Sequence, residues 1–142
     1  MKALLLLPII ASACTFACAQ SFSGHWKGAI TRDFGASSKT DSIDLYLEQS
    51  GSKITGFSVI YVRAGMYIKS KLEGSFQAAN QMLRLTETAI EQSNIPGKNE
   101  EIFLDRYLLH WDDSEKNLLT GITLPCKPKA LYSRSRMAVK KE

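Results

Sequence analysis

Two histidines, three cysteines and four prolines are all that the 142 residues hold of these types. Two of the cysteines, Cys14 and Cys18, fall in an N-terminal leader, which leaves Cys126 alone in the folded part. A lone thiol cannot staple a fold, and its expected fate is that of a small, partly buried apolar side chain. With His25 and His110 as the only histidines, no HxH, HExxH or CxxC spacing can be written, so neither a metal nor a cofactor is expected. No G-x-S-x-G elbow introduces a serine and no glycine-rich phosphate loop occurs, so the chain reads as non-catalytic. No apolar run approaches the roughly 20 residues that a membrane-crossing helix needs. Helical periodicity is missing as well, with no amphipathic window longer than a turn or two.

What the N-terminus does have is a single charge at Lys2, an apolar run from Ala3 to Ile10 interrupted by Pro8, and small residues ending in Ala17-Cys18-Ala19. That is the build of a secretory signal peptide spanning 1–19, cut after Ala19 to expose Gln20. The rival is lipoprotein anchoring on Cys14 or Cys18, and the residues preceding each lack the leucine such a site uses. A secreted or periplasmic protein is the expectation, and secretion disfavours nucleic acid as a partner. About 123 residues then remain, enough for one core and one domain. The formal charge is +4, or +3 without Lys2, and the surplus is concentrated in Lys127, Lys129, Arg134, Arg136, Lys140 and Lys141. Such an end can attract anionic partners, or it can be a solvated edge strand followed by a basic tail at 138–142.

Beyond residue 20 the apolar residues recur at intervals of two and are bounded by Gly, Asn, Asp and Ser clusters, the pattern of an all-β domain. Eight strands are predicted: seven at about 24–32, 42–50, 53–63, 66–77, 100–111, 118–124 and 130–137, and the fifth after the turn AANQ, with Leu83, Leu85, Glu87 and Ala89 on one face. Short turns join most of them, so the expected arrangement is an eight-stranded antiparallel up-and-down β-barrel over 20–137, in which strand eight pairs with strand one and abolishes both edges. KITG at 53–56, KLEG at 71–74 and LLTG at 118–121 repeat one phrase, a glycine two places after an apolar residue, as suits strands that coil sharply to close. In FSGHWKGAI, Trp26 points inward at one mouth, and Gly24 and Gly28 on its face are expected to make room for the indole.

Gly24-His25-Trp26, at the start of the first strand of such a meander, resembles the G-x-W signature of the calycins, the superfamily of lipocalins, fatty-acid-binding proteins and avidins. The phrasing from GHWKG through LYLEQSGSKITG to LTGITLPCKPKALYSRSR is similar to small secreted lipocalin-like proteins of Bacteroidetes with no assigned role. The resemblance implies a cation from the last strand packed across Trp26, with Arg134 the first choice and Arg136 the second. The lid helix and paired cysteines of typical lipocalins are missing, as is the residue set by which avidins hold biotin. Neither family's ligand therefore carries over.

A barrel of this size can hold side chains alone or one small ligand. Phe57, Tyr61, Phe76, Leu85, Phe103 and Tyr107 are the candidate lining, with Ser58, Ser70, Gly56 and Gly74 as gaps between the larger residues. Glu87 shares the face of Leu83, Leu85 and Ala89, and an inward carboxylate needs a partner. It is either a polar anchor for a ligand amine or hydroxyl, or a carboxylate reaching water at the mouth, and Arg84 or Arg106 could meet it only across a register break. The function expected is carriage of a small, largely apolar ligand inside the barrel. The alternative is a solid barrel acting as an envelope interaction module through its loops and basic end. An enzyme using Glu87 as acid or base is the third reading.

Overall fold

In a computed structural model, which describes residues 21–63, 65–96, 104–112, 114–127 and 134–142, the chain forms eight strands and one short 3₁₀ turn. The strands are β1 (Gly24–Asp33), β2 (Ser38–Ser50), β3 (Lys53–Arg63), β4 (Met66–Gln77), β5 (Met82–Ser93), β6 (Asp105–Trp111), β7 (Leu118–Pro125) and β8 (Ser135–Lys141), with the 3₁₀ turn at Ala78–Asn80. Each pairs antiparallel with the next and β8 pairs with β1, so the sheet closes into an up-and-down barrel. The leader expected at 1–19 lies outside the described residues, as do Phe103 and the first part of the predicted eighth strand. Among the described residues no helix is long and apolar enough to cross a membrane.

Alternation explains the strands. In β2 every second residue from Asp41 to Leu47 is buried while Asp44 and Tyr46 face outward, so one ribbon serves core and solvent together. Along β1, two neighbouring strands reach further than expected. β2 begins at Ser38, because Ser38 to Asp41 pair with Asp33 to Ile30 and extend the ladder into the polar stretch that reads as a loop. β8 runs to Lys141, so residues 138–141 are not a tail: Ala138 to Lys141 pair with Ala29 to Trp26 and form the barrel seam.

The strands place one end, the base, at the turns 51–52, 78–81 and 112–117, and the other, the loop end, at the connections after β1, β3, β5 and β7. At the base, Trp26 is fully buried and its Nε1 donates to the Phe22 carbonyl at 2.9 Å. Phe22 packs against Phe76 with ring centroids 4.5 Å apart and meets Trp111 edge-on at 6.3 Å. These four rings cork the base and merge with Leu45, Leu83, Leu109, Leu119 and Val139 above them. Burying side chains of this size contributes roughly 1.5–3 kcal/mol each.

The glycines serve closure. A Cβ on Gly28 would sit 1.8 Å from the carbonyl oxygen of Ala138, so the backbone of β8 occupies the space a side chain would take. Gly28 therefore admits the neighbouring strand, not the indole, which corrects the role expected for it. Gly24 has φ +126° and leaves room for the Lys141 side chain, 3.1 Å from where its Cβ would stand. Gly56, Gly74 and Gly121, the three glycines of the repeated phrase, meet the backbones of β2, β5 and β6 in the way Gly28 meets β8.

The cation over Trp26 is Lys141, whose Nζ lies 5.7 Å from the ring centroid. Arg134 is exposed, and Arg136 faces outward toward Asp33 at 3.9 Å. Arg134 precedes β8 and Arg136 lies at its start, both at the loop end and a strand length from the indole, whereas the register sets Lys141 opposite Trp26. A second correction concerns β3. Ile54, Ser58 and Ile60 turn inward, which sends Phe57 and Tyr61 outward. Phe57 stacks on Tyr46 at 4.6 Å beneath the Lys69 ammonium, and Tyr61, 43% exposed, donates to Asp44.

Candidate functional site

The barrel interior is apolar toward the base and polar toward the loop end. Arg32, Asp41, Asp105, Thr123 and Ser135 turn inward toward the loop ends of β1, β2, β6, β7 and β8, Glu87 of β5 turns inward just past the end of the β5–β6 ladder, and all six are buried. Buried polar groups on six strands at one level form a layer that hydrophobic packing alone does not require.

Alternation places each of them. Arg32 keeps the phase of Trp26 and Ile30, Asp41 that of Ile43 and Leu45, and Asp105 that of Tyr107 and Leu109. Glu87 follows Leu83 and Leu85, after which a bulge between its pairing with Leu72 and that of Ala89 with Lys71 breaks the phase. Ala89 is consequently exposed and leaves the face it was expected to share with Glu87.

Two polar groupings meet at Asp105. In the first, the Arg32 guanidinium donates to Asp41 Oδ2 at 2.7 Å and to Asp105 Oδ2 at 3.2 Å. Lys39 adds a partly exposed ammonium 3.0 Å from Asp41 Oδ1. In the second, Glu87 Oε1 accepts from the hydroxyls of Ser58 and, at 2.5 Å, Tyr107, while Glu87 Oε2 accepts the backbone N–H of Asp105 at 2.9 Å. Glu87 is 2% exposed, and neither Arg84 nor Arg106 turns inward to meet it. Its partners are therefore hydrogen-bond donors and not a cation.

Burial decides the protonation of this carboxyl. Desolvation raises it from 4.5 to about 7; the bonds from Ser58, Tyr107 and the Asp105 N–H pull downward without cancelling that, and the Asp105 carboxylate adds to the rise. Burial also pushes the Tyr107 phenol well above its usual 10, with the Glu87 charge adding to the effect. Cys126, half-buried, has its Sγ 4.0 Å from the Glu87 carbonyl oxygen, and burial raises its thiol in turn.

Thr123 and Ser135 face each other across the β7–β8 ladder, and their buried hydroxyls have no hydrogen-bond partner among the described residues. Each such group costs about 1–3 kcal/mol.

Of the candidate lining, Leu85 and Tyr107 are inward and buried, Tyr107 touching Glu87; Phe76 belongs to the base cluster; Phe57 and Tyr61 lie outside the barrel. The sequence reading singled out Glu87 alone, although the same alternation within the predicted strands reaches Arg32, Asp105, Thr123 and Ser135, and reaches Asp41 once β2 begins at Ser38. Toward the base, the inward apolar side chains are covered by one another and carry almost no accessible surface. Among the described residues no group of three or more His, Cys, Asp or Glu could hold a metal ion.

Compared with protein-family models and with curated proteins, the chain matches none. What is established is an eight-strand antiparallel barrel compatible with a calycin-like fold.

Proposed function

We propose that this is an exported, calycin-like binding barrel that works without covalent chemistry and takes a small hydrogen-bonding ligand at its loop end. The observation that carries this reading is the Thr123–Ser135 pair: two buried hydroxyls without partners among the described residues, in a layer with Arg32, Asp105 and Tyr107. A methyl-bearing pair there would avoid the cost of unmet hydrogen bonds, and a ligand hydroxyl, amide or carbonyl would meet them. The apolar cargo implied by the lining aromatics finds less support. Phe57 and Tyr61 are outside, and the apolar half of the interior is occupied by the protein's own side chains. Glu87 is saturated by Ser58, Tyr107 and Asp105, which favours a supporting role over direct capture of an amine.

A second reading, a filled barrel that engages envelope partners through its outer surface, draws on that same coverage. Its basic-end version is weakened because the cluster is split. Arg134, just before β8, and Arg136, at its start, stand at the loop end, whereas Lys141 is held at the base by the Ser21 carbonyl at 3.1 Å and by the Trp26 ring.

The test is a thermal-shift panel of small polyols, amides and saturated fatty acids, run on the protein and on a Thr123→Val/Ser135→Ala double variant. A polar compound that raises the melting temperature of the first and not of the second is the expected result. Fatty acids that shift both proteins equally restore the apolar-carrier reading. Silence across the panel, together with an envelope protein retained in a pull-down, establishes the outer-surface reading. Export is checked separately: N-terminal sequencing of protein from the periplasm or medium is expected to begin at Gln20.

A further inference from the structure

The β5–β6 ladder ends at Thr86 and Arg106. Beyond it, the described link between the two strands at the loop end is the Glu87 side chain, whose Oε2 takes the N–H of Asp105 while Oε1 reaches Ser58 on β3 and Tyr107 on β6. A carboxyl therefore occupies the place of a ladder hydrogen bond and joins three strands. It does so at 2% exposure, with no cation among the described residues bonded to it and with the Asp105 carboxylate beside it. Arg32, the nearest buried cation in the layer, is bonded to Asp105 and Asp41. A buried carboxylate without a cation is costly, and the cost is relieved by taking a proton or by opening to water.

We infer that Glu87 is a proton-dependent latch on the loop end: protonated, it donates from Oε1 to the Ser58 or Tyr107 hydroxyl, accepts the other hydroxyl and the Asp105 N–H, and so holds β3, β5 and β6 together, and on losing its proton it drives the β5–β6 end to open and hydrate the new anion.

The groups facing it leave Glu87 as the one that switches. From β3 comes the Ser58 hydroxyl, and from β4 its ladder partner Leu72, which carries no charge. From β6 come the Tyr107 phenol, held well above 10, and Asp105, which is ion-paired to Arg32 of β1. Arg32 in turn is paired to Asp41 of β2, and Lys39 reaches Asp41 from the barrel edge. After β7 comes Cys126, its thiol raised by burial and by the Glu87 charge. A carboxyl that keeps its proton more firmly in the folded chain contributes its full stability below about 4.5, and this contribution is lost as pH rises to about 7. Mild acid locks the latch and neutral pH releases it.

The experiment is amide hydrogen exchange at several pH values, corrected for intrinsic rates, on the full chain and on Glu87→Gln, which keeps the shape and cannot ionise. Between about pH 5 and about pH 8 the open population at residues 86–88 and 105–107 of the unmodified protein is expected to rise at least about tenfold. Amides at the base, Leu83 and Leu109 among them, stay protected, and Glu87→Gln shows no such rise. An equal rise in both proteins, or one spread evenly over the barrel, overturns the latch. Should Glu87→Gln not fold, the carboxyl carbon of Glu87 in labelled protein is titrated by NMR. A midpoint near about 7 that the local exchange tracks supports the latch, and a midpoint near the ordinary value of about 4.5, or exchange indifferent to it, overturns it.

Discussion

Lys141 and Trp26 face each other across the seam where the last strand meets the first, with the ammonium 5.7 Å from the centre of the indole. The same ammonium donates to the Ser21 carbonyl at 3.1 Å, so one side chain covers the ring and holds the N-terminal segment. Lys141→Ala is expected to lower unfolding free energy by about 1 kcal/mol, the sum of a partly exposed cation–π contact and one surface hydrogen bond. Trp26→Ala, which empties the base, is expected to cost about 3–5 kcal/mol. Urea denaturation measures both, and an Arg134→Ala change as large as that of Lys141→Ala would contradict the assignment of the cation.

Gly28→Ala tests the closure. The new methyl would stand 1.8 Å from the Ala138 carbonyl oxygen, which belongs to backbone and cannot swing aside. Destabilisation of about 3 kcal/mol or more is expected, at the upper end of overpacking effects. Gly51→Ala is the comparison: nothing lies within 4 Å of its Cβ and only its φ of +61° is strained, so roughly 1–2 kcal/mol is expected. The denaturation midpoints should fall in that order.

Arg32→Met leaves Asp41 and Asp105 buried without their shared cation. A loss of about 3–5 kcal/mol is expected, as for other buried pairs broken from one side. Arg136→Met removes only an exposed contact at 3.9 Å and should change stability by less than about 0.5 kcal/mol.

Thr123→Val and Ser135→Ala remove hydroxyls that have no partner among the described residues, so each is expected to be neutral or to raise the melting temperature, by up to about 1 kcal/mol of stability. A loss of about 2 kcal/mol from either would mean that the hydroxyl is bonded in solution, and calorimetry decides.

Tyr107→Phe removes a donor that favours the ionised form of Glu87. The carboxyl should then keep its proton beyond about 7, moving the pH window for loss of stability upward, while overall stability drops by about 1 kcal/mol. The Glu87 carboxyl titration followed by carbon NMR shows the direction, and a downward shift would contradict the assigned geometry.

Much of this was legible in the order of residues. The period-two pattern, the turn clusters and the lack of helical windows determined eight antiparallel strands, and the need to remove two edges determined closure of β8 on β1. The phase of Leu83 and Leu85 turned Glu87 inward. Where alternation was ambiguous, pattern was insufficient. Ile54 to Val62 offers two apolar faces, and only pairing with β2 and β4 chose the one that sends Phe57 and Tyr61 outside. Of the polar layer only Asp41 stood in a stretch that reads as loop; Arg32, Asp105, Thr123 and Ser135 lie inside the predicted strands, and what pattern could not supply was their meeting, which the register between strands sets.

The sequence by itself determined strand number, connectivity, the buried indole and the inward carboxyl, because these follow from local alternation and from the chain's need to cover its apolar face. Tertiary structure alone decided which cation lies over Trp26, which backbone fills the space at Gly28, and that Glu87 meets two hydroxyls and an N–H in place of an arginine. Those outcomes depend on the register between strands far apart in the chain, and a shift of two residues would preserve every inward face while exchanging every partner.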